Sequence, residues 1–109
     1  MKYLFNSLIV PIDFSALNVA NVAFRRTTID EVRRLLSNGF TSAIGHAGTA
    51  QLLTELLGVE VPVNRIAVRM RSGDIGVHFV LAERLPEGKV LSKEELARLD
   101  YYFATSYVL

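Results

Sequence analysis

The sequence predicts a single α+β domain over residues 1–109, built on a mixed β-sheet of about five strands flanked by helices. Two observations predict this class. First, the 109 residues, half of them hydrophobic, are enough for one domain with its own core. Second, strand-like apolar segments alternate with segments whose apolar residues recur every three or four positions, in the approximate order β-β-α-β-α-β-β-α-β. No internal repeat and no linker divides the chain.

The composition excludes several classes of function. The net charge of +1 argues against a protein that coats duplex DNA, which would need a strongly basic face. The absence of cysteine excludes disulfides and thiolate chemistry. No apolar run is long enough to cross a bilayer, and the N-terminal residues do not have the pattern of a signal peptide. We therefore expect a cytoplasmic protein that does not associate with membranes.

The N-terminal quarter predicts two strands joined by a loop. Apolar and aromatic side chains dominate residues 2–10, which is typical of a buried strand. Asn6 and Ser7 interrupt this run, so they lie either at the end of the strand or against a cavity. A loop is predicted over residues 11–18 and a second strand over residues 19–26.

Capping residues predict where two helices begin and end. Thr28 with Glu31 three positions later forms a capping box, and Gly39 suits the left-handed residue that follows a helix. The second helix is predicted to begin immediately after His46, with leucines at three- and four-residue spacing, and to end at Gly58. His46 therefore lies at a strand-to-helix junction, where unpaired backbone N–H groups can bind an anion.

The remaining segments predict four strands and a third helix. Residues 40–44 predict a short central strand between the first two helices. Residues 66–71 and 75–82 alternate in polarity around a Ser-Gly-Asp turn, which indicates a hairpin. A second capping box predicts a short helix over residues 92–99, and the aromatic run 101–109 predicts the final strand.

His46 is the clearest candidate for chemistry, although a lone histidine there is equally compatible with a core or capping role. No second ligand stands at metal-binding spacing beside it, so a zinc site is not expected. The Gly45-x-x-Gly48 spacing lacks the further glycine of a dinucleotide fingerprint and the ending of a P-loop. His78 lies in an alternating segment and is expected to be a strand-face residue.

Two arginines are predicted to meet near the ends of the hairpin strands. Arg65 precedes one strand and Arg84 follows the other, so a hairpin would place both at one end, where they could grip a phosphate. The alternative is two ordinary surface arginines paired with nearby glutamates. Together with His46, Asn6 and the loop carboxylate Glu87, they could support acid–base cleavage of a phosphodiester without a metal. Spacing alone does not identify the substrate.

Four motifs in order carry a more specific indication: Thr41-Ser42-Ala43-Ile44-Gly45-His46, Leu57-Gly58, Asn64-Arg65 and Arg84-Leu85-Pro86-Glu87-Gly88. In this combination the chain resembles the viral ring nucleases, which are type III anti-CRISPR proteins found especially in archaeal viruses, with relatives in phages and prokaryotic genomes. The similarity runs from the first strand through the helix after Ser92. It implies a homodimer that binds cyclic tetra-adenylate, the second messenger of type III CRISPR defence, at the subunit interface. It also implies cleavage to linear di-adenylates with neither metal nor cofactor.

The resemblance also implies a role for each matching residue. A ribose 2′-hydroxyl of the ring would attack the adjacent phosphorus and expel the 5′-oxygen, leaving a 2′,3′-cyclic phosphate. His46 would protonate the leaving oxygen, Glu87 would orient or deprotonate the 2′-hydroxyl, and Arg84 would lie close to the scissile phosphate. The ligand-binding residues would be Asn6, Ile44, Gly45 and Arg65. Glu83 departs from the glutamine expected in several relatives: its charge could weaken the binding of an anion, or its side chain could point away from the ligand.

Two other functions compete with this one. A binding protein could hold the cyclic nucleotide without cutting it, as a sponge or a sensor, but the intact set of His46, Arg84 and Glu87 favours cleavage. A small DNA-binding regulator would fit the local arginine clusters. No helix-turn-helix or basic recognition helix is evident, so we expect no stable complex with duplex nucleic acid. If the chain is viral, it should act in the cytoplasm of the host cell.

Overall fold

A computed structural model describes residues 1–82, 94–95, 98 and 100–109, and their strands form one mixed sheet. The strands are β1 (Lys2–Phe5), β2 (Val22–Thr27), β3 (Thr41–Ser42), β4 (Ile75–Leu81) and β5 (Tyr101–Val108), and the helices are α1 (Ile29–Leu36) and α2 (Ala47–Leu57). The strand order is β2-β5-β4-β1-β3. Strand β1 is parallel to β3 and β4, whereas β5 is antiparallel to β4 and β2. The predicted α+β domain with a five-stranded mixed sheet is confirmed.

The two faces of the sheet are covered differently. One face packs against both helices through a core that includes Leu4, Val32, Leu36, Leu53, Leu57, Val77, Phe79 and Phe103. The opposite face packs against loops through Tyr3, Phe5, Met70 and Val108, with Val10, Ile12, Leu17 and Val68 around them. Each large side chain buried in this way stabilises the fold by about 1.5–3 kcal/mol. In the part of the chain that the structure describes, the helices therefore cover one face only.

Both helices begin and end close to the predicted positions. Thr28 has extended backbone angles, and its hydroxyl accepts a hydrogen bond from the Glu31 backbone N–H at 3.2 Å. Helix α1 ends at Leu36, and Gly39 follows with a φ of +100°. Gly58 ends α2 in the left-handed conformation with a φ of 67°. Neither helix in the described residues is long and apolar enough to cross a membrane.

The predicted hairpin between residues 66–71 and residues 75–82 is wrong. Strand β4 is bonded to β1 along one side and to β5 along the other, so no edge of it remains for the earlier segment. Of that segment, Met70 alone forms an isolated bridge, with Ile12, and Ile66 is 43% exposed. Alternating polarity indicates an extended chain with one covered side, and it does not identify a partner strand.

The short strand predicted over residues 40–44 is present as β3, but at the edge of the sheet and not at its centre. A segment without regular structure runs along its outer side. The Ser42 hydroxyl donates to the Pro62 carbonyl at 2.7 Å, and the Asn64 backbone N–H donates to the Ile44 carbonyl at 2.8 Å. This segment covers the outer side of the edge strand, where the Ser42 carbonyl also accepts a hydrogen bond from the Asn64 side chain.

The other segments differ from the prediction mainly in their limits. The strand expected over residues 2–10 ends at the close of β1, so Asn6 and Ser7 lie just beyond its end. The strand expected over residues 19–26 starts three residues later as β2. The final strand is confirmed as β5. The helix predicted over residues 92–99 falls mostly outside the described residues.

Candidate functional site

Two parallel strands, β1 and β3, end at the same edge of the sheet, and the parallel strand β4 beside them continues to Leu81. In the register of β1 with its neighbours, Leu4 lies beside Ser42 of β3 and Phe5 beside His78 of β4. Asn6 directly follows β1, and residues 44–46 follow β3 before α2 begins. Ligands of open sheets with parallel strands bind outside the carboxyl ends of those strands. This edge is therefore the candidate site.

His46 is the N-cap residue of α2, but its side chain does not cap the helix. Its backbone is extended, its carbonyl accepts from the Ala50 N–H at 3.0 Å, and its imidazole makes no capping hydrogen bond. The side chain is exposed, so His46 is neither a core histidine nor a capping one. The first turn of α2 holds no acidic residue, unlike that of α1. Within the first turn of α2 itself, no side chain offsets the positive end of the helix dipole beside this accessible imidazole.

Arg65 is fixed against the backbone that leads to His46. Its Nε donates to the Gly45 carbonyl at 2.8 Å, and a Cβ built on Gly45 would lie 3.3 Å from Arg65 Cγ. In the described ranges that is the only hydrogen bond of this side chain, which is exposed. A planar guanidinium held by Nε can present its terminal N–H groups to a phosphate as a fork.

The site brings together five of the seven residues predicted for it. Asn6, Gly45, His46 and Arg65 lie at the edge formed by β1 and β3, although Arg65 arrives through its bond to Gly45 and not through a hairpin. Ile44 is fully buried in the core, and its backbone N–H and carbonyl are bonded to Ser42 Oγ and to Asn64, so it supports the loop. The other two, Arg84 and Glu87, lie outside the described residues.

Asn64 belongs to this site although the sequence prediction assigned it no role. Its side-chain amide donates to the Ser42 carbonyl at 2.8 Å, while its backbone N–H holds the Ile44 carbonyl. It thereby fastens the segment with Arg65 to the strand that leads to His46. In the sequence, the one indication of this role is that Asn64 directly precedes Arg65 in a motif. The structure is needed to show which groups Asn64 bonds. Within the described ranges, no three or more acidic, histidine or cysteine side chains are grouped to hold a metal ion.

His78 is the second histidine near this edge, and its ring is fully buried. Nδ1 lies 2.7 Å from the Ser7 carbonyl, and Nε2 lies 2.7 Å from Ser106 Oγ. Because a carbonyl can only accept, Nδ1 carries the proton and Nε2 accepts from the Ser106 hydroxyl. Burial lowers the pKa of His78, and the hydrogen bond to the Ser7 carbonyl opposes this only in part. The predicted strand-face position is confirmed, but the side chain is in the interior.

This buried imidazole should make the stability of the fold depend on pH. Below about pH 6.5 the unfolded chain binds a proton on His78 that the folded protein resists, so the free energy of unfolding should fall as the pH is lowered. The slope from this one group should reach at most about 1.4 kcal/mol per pH unit. Urea titrations between about pH 5 and pH 8 measure it. A His78→Asn variant should lack this component, and an unchanged pH profile in that variant would contradict the assignment.

Comparison with known proteins places the chain in a family. A family model described as STIV B116-like matches residues 2–103. The chain belongs to the STIV B116-like family. It also resembles, with 25% identity and a TM-score of 0.78, the solved structure of B116 from Sulfolobus turreted icosahedral virus, over 97% of each chain. The shared fold therefore includes the sheet edge described above.

Individual members of the family are found in viruses and in a bacterium. The chain is 39% identical over 103 residues to uncharacterized protein 26 of Sulfolobus islandicus filamentous virus (isolate Iceland/Hveragerdi), covering 93% of this chain and 86% of that protein. It is 37% identical over 107 residues to uncharacterized protein ORF117 of Acidianus two-tailed virus, covering 93% and 89%. It is 36% identical over 81 residues to YddF of Bacillus subtilis (strain 168), covering 72% and 75%. A viral origin fits these relatives.

Proposed function

We propose that the chain is a metal-independent ring nuclease that cleaves cyclic tetra-adenylate to linear di-adenylates and so suppresses type III CRISPR immunity in the host cytoplasm. The observation that carries this proposal is the start of α2, where accessible His46 adjoins free backbone N–H groups and the guanidinium of Arg65. Helix N-termini and guanidinium groups both bind phosphate, and an imidazole beside them can transfer a proton. A phosphodiester would use all three groups, and the choice of cyclic tetra-adenylate as that phosphodiester rests on the resemblance to the viral ring nucleases.

In the proposed reaction, one side chain donates a proton and another side chain accepts one. The ribose 2′-oxygen attacks the neighbouring phosphorus while the bond from phosphorus to the 5′-oxygen breaks. His46 as imidazolium gives its proton to the 5′-oxygen, and Glu87 takes the proton of the 2′-hydroxyl. Arg84 and Arg65 offset the negative charge that gathers on the phosphate in the transition state. The roles of Arg84 and Glu87 rest on the resemblance to ring nucleases, whereas Arg65 is supported by its contact with Gly45.

The ring should be bound between two copies of the chain. Four identical nucleotides in a ring can present equivalent phosphates to two equivalent sites across a two-fold axis. Each subunit would then make one of the two cuts. We expect native mass spectrometry of a His46→Ala variant with cyclic tetra-adenylate to show one ring for every two chains. One ring for every chain would contradict the shared site.

The decisive experiment incubates the protein with radiolabelled cyclic tetra-adenylate in the presence of EDTA. Linear di-adenylate ending in a 2′,3′-cyclic phosphate is the expected product, and linear tetra-adenylate serves as the matched non-cyclic substrate. A ring that is bound but remains intact would instead indicate a sponge or sensor. Cleavage that the chelator abolishes would mean that a metal takes part.

A further inference from the structure

In the described part of the structure, the turn that carries Asn6 makes few hydrogen bonds to the rest of the protein. From Asn6 to Val10, the hydrogen bond from His78 to the Ser7 carbonyl is the only one outside the strand ladder among the described residues. Leu8 and Ile9 do not anchor the turn, since they are 43% and 67% exposed, and the next side chain that packs against the core is that of Val10. Asn6 itself is exposed. Among the contacts of the described residues, the hydrogen bond from His78 is therefore what ties the turn between Phe5 and Val10 to the sheet.

The imidazole of His78 is itself locked from three sides. The Ser106 hydroxyl donates to Nε2, and the ring of Phe5 stacks on the imidazole with centroids 5.2 Å apart and planes 15° apart. Gly76 provides the space, because a Cβ there would lie only 2.7 Å from His78 Nε2. A polar side chain buried in a sheet carries a desolvation cost that an aliphatic residue would avoid. Two neighbouring residues, Gly76 and Ser106, therefore both help to orient the His78 ring.

We propose that His78 is a positioning residue: its Nδ1–H holds the Ser7 carbonyl and thereby fixes Asn6 in the place where it contacts the ligand. The imidazole touches no ligand atom itself, since it is fully buried. This inference rests on the proposed function only in assigning the cyclic nucleotide as the ligand of Asn6. The link between His78 and the turn stands on the geometry of the chain alone.

Two substitutions separate the two hydrogen bonds of the ring. The amide nitrogen of asparagine lies close to the position of Nδ1, so His78→Asn keeps a donor for Ser7. The longer glutamine places its amide near the position of Nε2, so His78→Gln keeps a partner for Ser106 but loses the donor to Ser7. Ser106→Ala is the matched control, because it removes the Nε2 partner and leaves the turn bonded.

Affinity for cyclic tetra-adenylate is measured by titration in a His46→Ala background, where the ring stays intact. His78→Gln should weaken binding by about 3- to 10-fold, the effect of one hydrogen bond, whereas His78→Asn and Ser106→Ala should bind like the parent. Combining His78→Gln with Asn6→Ala should weaken binding no further than Asn6→Ala alone, because both act through one side chain. Fully additive losses in the double variant would overturn the proposal.

Two further measurements need no ligand. Nitrogen NMR of the unsubstituted protein should find the His78 proton on Nδ1, and a proton on Nε2 instead would overturn the proposal. Amide exchange at residues 6–9 should then be faster in His78→Gln than in His78→Asn. Equal exchange in the two variants would also overturn it. If no ring binds but the tautomer and the exchange rates are as expected, the proposed ligand is wrong and the positioning role of His78 stands.

Discussion

Replacing His46 with alanine should lower the rate of ring cleavage by about 10²- to 10⁴-fold, the usual contribution of a general acid. Binding should remain nearly unchanged, because the imidazole is exposed and makes no hydrogen bond that caps the helix. Single-turnover cleavage of cyclic tetra-adenylate, with binding measured in parallel, separates the two effects. The stability of the fold should also be little affected, since the substitution removes no buried contact.

The matched control for this prediction is Gln51→Ala. Gln51 is an exposed residue on the same helix, five positions after His46, so its replacement should leave both cleavage and binding as they are. Added imidazole should restore part of the rate of His46→Ala, because the site is open to solvent and a free imidazolium can supply the missing proton. A rate for His46→Ala within a few-fold of the parent would contradict the assignment of the acid.

The parts of the fold that could be predicted from the sequence are those with local causes. Thr28 and Gly58 mark helix limits through contacts within a few residues of themselves, and the structure has both as predicted. The start of α2 after His46 was predictable for the same reason. Which strands pair with each other is not determined by residues close in sequence. The alternating pattern of residues 66–71 predicts a hairpin, but which edges of β4 are free depends on β1 and β5, which are distant in sequence.

In the candidate site, too, the predictable residues are those with a local sequence signal. His46 and Arg65 could be identified because each stands in a recognisable short motif, although their meeting through the Gly45 carbonyl joins residues 20 positions apart. The contribution of His78 could not be predicted. Its two partners, Ser7 and Ser106, lie 71 and 28 positions away, and nothing in a single sequence links them. An alternating strand with one histidine is equally typical of an exposed face.

Replacing Gly76 with alanine should destabilise the fold by about 3 kcal/mol, from overpacking of about 1–3 kcal/mol and a comparable cost for a buried polar group left without a partner. The new Cβ would fall within contact distance of both Ser106 Oγ and His78 Nε2, so the serine must rotate and release the imidazole. Urea unfolding measures the loss. Gly45→Ala is the matched control, because neither glycine has a positive φ and the Cβ at 45 would meet only the flexible Arg65 side chain.

A double substitution distinguishes this mechanism from a general intolerance of the strand. In Gly76→Ala with Ser106→Ala, the hydroxyl that obstructs the new Cβ is gone, so the pair should be less destabilised than the sum of the two single variants. The imidazole then lacks its Nε2 partner but can still donate to Ser7. Equal stability of Gly76→Ala and Gly45→Ala would show that the strands around Gly76 can shift to accommodate the new Cβ. In that case, the space above Gly76 would not be what holds His78 in its orientation.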